Sequence, residues 1–272
     1  MDASKDGSLI VPEEAAPFRT EVSGGEVVAY RAAAPGRAEC EDAAAIVESA
    51  AGILLLVADG MGGQPAGARA SQLAIEEVAR RVRAEVGGGG ELRHALLDGI
   101  EAANEAVRAL GVGAGTTLAA MAVHADGHAR PVHVGDSVVL HVGQRGRVKA
   151  KTVPHSLTGL LVEAGTLDEA DALVHEDSHV VTNYVGQEGM RIEVGTANRI
   201  ATRDTLVVAS DGLADNLTLE EIVELVRSGP LLAAGEVLAE LARVRMERPQ
   251  PEEPSKPDDL TFLLYRRAGA AR

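Results

Sequence analysis

The chain has no tryptophan, and its 2 phenylalanines and 3 tyrosines leave aromatics at 2% of 272 residues. Its core must therefore be built from Ala, Val, Leu and Ile. The same scarcity counts against a single-strand nucleic-acid binder, which stacks bases on aromatic platforms. Basic charge is short too: 26 Lys and Arg face 41 Asp and Glu, for a net charge of -15. A nucleic-acid duplex would repel that surface without a compensating basic patch. None is evident, because the densest basic run, Arg80, Arg81 and Arg83, shares its helix with Glu76, Glu77 and Glu85. The single cysteine, Cys40, excludes an internal disulfide and fits a reducing compartment. The longest apolar stretch, Ile53 to Ala58 with its small neighbours, falls far short of the roughly 20 residues a spanning helix needs. No N-terminal apolar run has the length of a signal peptide. These absences lead us to expect a cytoplasmic protein that spans no membrane and binds no nucleic acid.

What is present is 46% apolar residues in two alternating kinds of pattern. Residues 1–20, with Pro12 and Pro17 among mixed polar positions, read as a loose leader, and 21–268 as one domain. Short β-prone runs follow at Val27 to Arg31, Ala43 to Glu48 and Ile53 to Ala58. Ile75, Val78, Ala79, Val82 and Val86 then recur at helical spacing, closed by Gly87 to Gly90. A second helical stripe runs from Leu92 to Leu110. Strands return at Thr116 to Val123, Arg130 to Val134, Val138 to Val142 and Val148 to Thr152, and their short turns predict an antiparallel meander. After a polar stretch with a helix at Thr158 to Ala164 come strands at Arg191 to Val194 and Thr205 to Ala209. A helix opening at Thr218, with Glu221 completing a capping box, precedes another at about Leu231 to Met246 and a last strand at Leu260 to Tyr265. Helices come in pairs, not one per strand. That predicts an α+β fold with antiparallel sheets and helices on their outer faces.

Acids stand at the ends of these elements. Asp59 and Asp211 each close an apolar run and precede a glycine; Asp136 follows Gly135; Asp258 and Asp259 precede the last strand; Glu41 and Asp42 precede the second. Any one of these could be turn chemistry, since the chain has five Asp-Gly pairs. The set points further. The runs before Asp59 and Asp211 are apolar enough for strands buried on both faces, so their carboxylates are partly desolvated and need counter-charge. No Lys or Arg is adjacent to Asp211, and the nearest base after Asp59 is Arg69. A hard divalent cation such as Mg²⁺ or Mn²⁺ would meet that need with oxygen ligands. The glycines after Asp59 let a backbone carbonyl approach such an ion. Arg37, four residues before Glu41, is a natural fork for a phosphate.

Seven segments in order carry a resemblance over residues 26–266: RAECED at 37–42, VADGMGGQPAGARAS at 57–71, GTTLAA at 115–120, VGDS at 134–137, PHSL at 154–157, VVASDGLAD at 207–215 and PDDLTFLL at 257–264. They resemble the metal-dependent type 2C protein serine/threonine phosphatases, especially the bacterial branch. The resemblance implies two stacked antiparallel β-sheets flanked by pairs of antiparallel helices. It implies that Asp59 bridges two Mn²⁺ or Mg²⁺ ions, with Asp211 and Asp258 completing one shell and Glu41 and the Gly60 carbonyl the other. Asp136, with Asp211, would hold a weaker third ion, and Arg37 the substrate phosphate. Asp42 and Asp259 would be supporting neighbours. The implied reaction is attack on phosphoserine or phosphothreonine by hydroxide held between the metals. The implied partner is a phosphorylated protein, the product of a Ser/Thr kinase, met by a monomer. The sequence departs from the family at Cys40 (usually Asn), Val138 (commonly Arg), Gln64 (usually His) and Asn183 (often Arg), and Met61 stands where eukaryotic relatives carry His.

Other readings are weaker. His124, His128, His133 and His141 cluster in sequence, but on alternating strands they do not converge on one zinc ion. GVGAGTT at 111–117 lacks the lysine of a phosphate loop. Ser210 lacks the elbow of a nucleophilic serine. A binding protein that keeps the fold without turnover, and a hydrolase of small phosphate esters, stay open as alternatives.

Overall fold

The computed structural model describes all residues except 1–6, 62–65, 112, 169–170, 172–174, 176, 178–179 and 269–272. Two antiparallel sheets stack face to face. The first runs in the order β1 (Ser8–Ile10), β4 (Ala43–Ser49), β5 (Gly52–Ala58), β6 (Leu118–His124), β7 (His128–Val134) and β10 (Glu193–Val194), with β11 (Asn198–Arg199) also on β7. The second runs β2 (Phe18–Val22), β3 (Gly25–Ala32), β13 (Leu260–Arg267), β12 (Thr205–Ala209), β8 (Val138–Val142) and β9 (Val148–Lys151). Helices α1 (Gly67–Gly87) and α2 (Leu92–Ala109) cover the first sheet. Helices α5 (Leu219–Val226) and α6 (Leu231–Glu247) cover the second. Short helices α3 (Leu157–Glu163) and α4 (Asp211–Ala214) complete the described set.

The period of 2 along each strand explains why antiparallel strands here are apolar throughout. Ile53, Leu55 and Val57 of β5 point between the sheets, while Leu54, Leu56 and Ala58 meet the helices. On β12 Leu206 and Val208 face the other sheet, and Val207 and Ala209 face α5 and α6. Both sides of the central strands are thus dry, which needs apolar residues at nearly every position. The predicted stripes of α1 and α2 are the buried ones, Val78, Val82 and Val86 on α1 and Leu96, Ile100 and Val107 on α2. Thr218 caps α5: its hydroxyl accepts from the Glu221 N–H, and the Glu221 carboxylate accepts from the Thr218 N–H.

Two expectations are corrected. Residues 8–20 are not a loose leader: β1 pairs with β4 and β2 with β3, each as an edge strand, and Val11 between them is fully buried. Their short length and mixed polarity, suited to an edge with one wet face, hid them. The four strands from 116 to 152 are not one meander either. β6 and β7 form a hairpin in the first sheet, while β8 and β9 form one in the second. The Gly135-Asp136 turn therefore crosses from one sheet to the other.

Candidate metal centre

Strand register brings the acids together. Ala43 of β4 faces Ala58 of β5, and Val57 faces Ala119 of β6. In the second sheet Ala209 of β12 faces both Val138 of β8 and Phe262 of β13. The ends carrying Glu41, Asp42, Asp59, Asp136, Asp211 and Asp258 thus all open on one edge of the sandwich. Asp42, Asp59, Asp136, Asp211 and Asp258 feel one another's charge there.

Each carboxylate is fixed by its backbone. The Asp59 carbonyl accepts from the Thr117 N–H at 2.9 Å and the Thr116 hydroxyl at 2.8 Å, while the Asp59 N–H donates to the Thr117 hydroxyl at 2.9 Å. The Thr117 and Ser137 hydroxyls, 2.7 Å apart, tie this strand end to the turn that carries Asp136. Gly60 lies against the Glu41 and Gly67 carbonyls; a Cβ there would come within 2.5 Å of each. Asp259, buried, accepts from the Ala34 N–H at 2.7 Å and the Glu41 N–H at 2.6 Å. It thereby anchors both ends of the segment that carries Arg37. The Arg37 guanidinium is half exposed on the rim, 3.8 Å from both Glu41 and Asp259. Beside it a cleft of about 470 Å³ is lined by Glu13, Glu14, Tyr30 and Arg243.

One cation sits inside the cluster. The Lys256 ammonium is 2.8 Å from Asp211, 2.6 Å from Asp215 and 3.5 Å from Asp258. Sequence reading missed both Lys256 and Asp215. Lys256 is 45 positions from Asp211, beyond any local rule. Asp215 did leave a signal, since it follows Asp211 by four residues on a helical turn, where side chains share a face. Arg69, the nearest base in sequence to Asp59, pairs instead with Glu76 at 3.6 Å on α1. Gly62, Gly63 and Gln64 lie outside the described residues.

The electrostatics are those of crowded acids. Burial first, then the charges of its neighbours, pushes Asp59 well above the usual carboxylate range. The same causes push Asp136 up to about 8, Asp42 and Asp215 up to about 7 and Asp258 up to about 6. Burial opposes ionisation of Asp211 as well, but Lys256 overrides it and holds this carboxyl below the usual range. Two features mark a site shaped for more positive charge than Lys256 brings. Asp211 Oδ1 is buried without a hydrogen-bond partner, on a side chain that both Asp59 and Asp215 approach. Both oxygens of Asp42 are buried, and the neighbouring Thr261 and Ser210 hydroxyls lie out of hydrogen-bonding geometry. Hard oxygen donors facing one another in a half-buried site fit divalent cations of the Mg²⁺ or Mn²⁺ type.

A pH dependence follows for the metal-free protein. Its folded acids keep protons that the unfolded chain, titrating near 4, has already released. The folded state then binds more protons, so stability falls as pH rises. The fall begins at about pH 4 and runs through the raised values, from about 6 for Asp258 to about 8 for Asp136. Melting in a chelator should drop by about 5 °C or more between pH 5 and pH 8. Saturating Mn²⁺, which takes the ionised carboxylates, should abolish the drop; scanning calorimetry at both pH values checks this.

A second cluster lies one strand away. His133, His155 and Glu193 each offer a ligand atom within 4.8 Å of the others. His155 is committed otherwise. Its Nδ1 accepts from the Gly135 N–H at 3.1 Å and from Asn183 Nδ2 at 2.8 Å. The amide of Asn183 is oriented by its Oδ1 accepting from the Arg191 N–H at 2.9 Å. The proton of His155 therefore sits on Nε2, which donates to Glu193 at 3.1 Å, so that nitrogen has no lone pair for a metal. Stacked on His133 at 4.4 Å, His155 holds the turn that carries Asp136. His124, His128 and His141 take no part in this group. His141 instead pairs with Asp204 at 2.8 Å.

The chain is similar to proteins of known family. The sequence profile of Protein phosphatase 2C matches residues 34–247. Protein phosphatase PhpP of Streptococcus pneumoniae is 31% identical over 205 residues, 72% of this chain and 82% of that protein. The structure of the S. agalactiae serine/threonine phosphatase superposes with a TM-score of 0.75 at 29% identity, over 89% of this chain and 99% of that one. The catalytic domain of the serine/threonine protein phosphatase PstP, solved in complex with 2 manganese ions, gives 0.71 at 27% identity, over 89% and 98%.

Proposed function

The chain belongs to the protein phosphatase 2C family and is a protein serine/threonine phosphatase, and from that premise we propose that its strand-end acids hold the divalent cations of the reaction. The observation that carries this reading is the buried, unpartnered Oδ1 of Asp211 in a cluster where Asp42, Asp136, Asp211 and Asp258 converge on Asp59. Asp59, Asp211 and Asp258 would hold one Mn²⁺ or Mg²⁺ ion. Asp59, Glu41 and the Gly60 carbonyl would hold the other. When bound, the pair supplies Lewis acidity toward phosphate oxygens and ionises water near neutral pH.

The chain's own groups do the rest. Arg37 grips the phosphate on the rim, and Asp259 holds it there by fixing the backbone on both sides of it. Thr116 and Thr117 keep Asp59 from turning away. The substrate is a phosphoserine or phosphothreonine protein, and the cleft beside Arg37 offers room for the chain flanking the phosphorylated residue. The enzyme acts as a single catalytic domain and a monomer, opposing a serine/threonine kinase in the cytoplasm. The lone cysteine, Cys40, is buried and fits that compartment. Among the described residues no helix is long and apolar enough to cross a membrane.

The test is phosphate release from a phosphothreonine peptide with Mn²⁺, with Mg²⁺ and in chelator. Metal-dependent turnover of the peptide, faster than that of a small aryl phosphate, is the expected result. A protein that binds metal and turns over neither substrate sinks the reading. Arg37→Ala is expected to lower kcat/KM by about 10² while leaving Mn²⁺ affinity unchanged, because a bidentate phosphate contact is worth about 3 kcal/mol.

A further inference from the structure

Lys256 belongs to none of the roles above, yet it is the cation that the structure places among the acids. Its backbone is held on both sides by a buried residue. The Lys256 N–H donates to Asn216 Oδ1 at 3.0 Å, and its carbonyl accepts from Asn216 Nδ2 at 2.9 Å. Asn216 is fully buried and also donates to the Gly212 carbonyl, next to Asp211, at 2.9 Å. Its own carbonyl accepts from Arg245 at 2.7 Å. The lysine is thus carried on a fixed support, with Pro257 limiting the chain that follows.

The two oxygens of Asp211 face different ways. Oδ1 is buried and has no hydrogen-bond partner, while Oδ2 meets Lys256 at 2.8 Å. The ammonium also takes Asp215 Oδ2 at 2.6 Å and lies farther, at 3.5 Å, from Asp258. A metal on the Asp59 side needs Oδ1; a further metal on the Asp136 and Asp215 side would need the oxygens Lys256 already holds. Two cations competing for the same carboxylate oxygens in a half-buried site repel one another.

We propose that the Lys256 ammonium is a tethered cation on the Asp211–Asp215 side of the centre and limits it to two exchangeable metal ions. The idea rests on the two-ion reading given above. It replaces the third ion that Asp136 and Asp211 would otherwise share. A tethered amine cannot be removed by chelator and contributes no metal-activated water. Its work is to occupy Asp211 Oδ2 and Asp215 Oδ2, which leaves Asp211 Oδ1 free for the metal pair.

The experiment counts Mn²⁺ per chain by equilibrium dialysis and metal analysis at saturation. Wild type is expected to bind two ions and Lys256→Gln three, the third being lost again in the Lys256→Gln/Asp215→Asn double variant. A wild-type count of three, or a Lys256→Gln count that stays at two, overturns the inference. A wild-type count below two overturns the two-ion reading and this inference with it. Should Lys256→Gln not fold, amine acylation of wild type read by mass spectrometry decides. Lys256 is expected to stay protected in chelator and in Mn²⁺ alike, and a rise in its labelling on adding Mn²⁺ overturns the inference.

Discussion

Asp59→Asn should lower kcat/KM on a phosphothreonine peptide by about 10³-fold or more, which is about 4 kcal/mol of transition-state stabilisation. The amide keeps one oxygen but loses the charge that both ions would share, and its NH₂ group would point a donor at one of them. Calorimetric Mn²⁺ titration should show at least one binding event lost. The metal-free variant should, in contrast, melt higher than metal-free wild type at pH 8. Removing one buried acid relieves Asp42, Asp211, Asp258 and Asp136, all of which press on Asp59. Losing activity while gaining apo stability separates a metal ligand from a structural aspartate. An Asp59→Asn enzyme with undiminished turnover ends the proposal.

Gly212→Ala should be the most damaging single methyl in the chain's second half. A Cβ at this position would lie 2.0 Å from the Asp259 carbonyl oxygen and 3.5 Å from Leu260 Cα. Those are backbone atoms of the segment entering β13, so no side-chain rotation relieves the contact. Either α4 or the start of β13 must shift. We expect a loss of about 3 kcal/mol or more, seen as a melting temperature about 10 °C lower. Because Asp211 and Asp258 flank the clash, Mn²⁺ affinity should weaken in the same variant. A variant that melts with wild type and binds Mn²⁺ equally would show that the two segments are not held at this distance.

The interior strands could be read from sequence because their burial on both faces leaves runs such as ILLLVA and TLVVA, which no helix period fits. The stripes of α1 and α2 were as plain. What escaped was set by distance. Whether β8 continues β7's sheet or starts the other depends on packing between sheets, and the Gly135-Asp136 turn looks like any tight hairpin in sequence. The edge strands β1 and β2 bury too little to impose a pattern. In the site, the acids were visible because each ends an apolar run. Asp259 was grouped with its neighbour, although its two backbone hydrogen bonds give it a separate task. The motifs GTTLAA and VGDS carry no chemical signal of their own in the sequence. Their hydroxyls are what fasten Asp59 to the Asp136 turn.

The order of the second sheet has a consequence for the birth of the molecule. There β3, near the start of the chain, pairs along its whole length with β13, near the end, from Leu260 opposite Ala32 to Arg267 opposite Gly25. A nascent chain that has emerged only as far as α6 carries β3 and β12 with the strand meant to lie between them missing. Both then present unpaired backbone and apolar faces, the condition under which partly made chains aggregate. The sheet closes only when β13 arrives, and the same segment delivers Lys256 and Asp258 to the acids. Folding to completion and acquisition of the catalytic centre are therefore one late, long-range event. Such events are slow, because the loop they close spans most of the sequence.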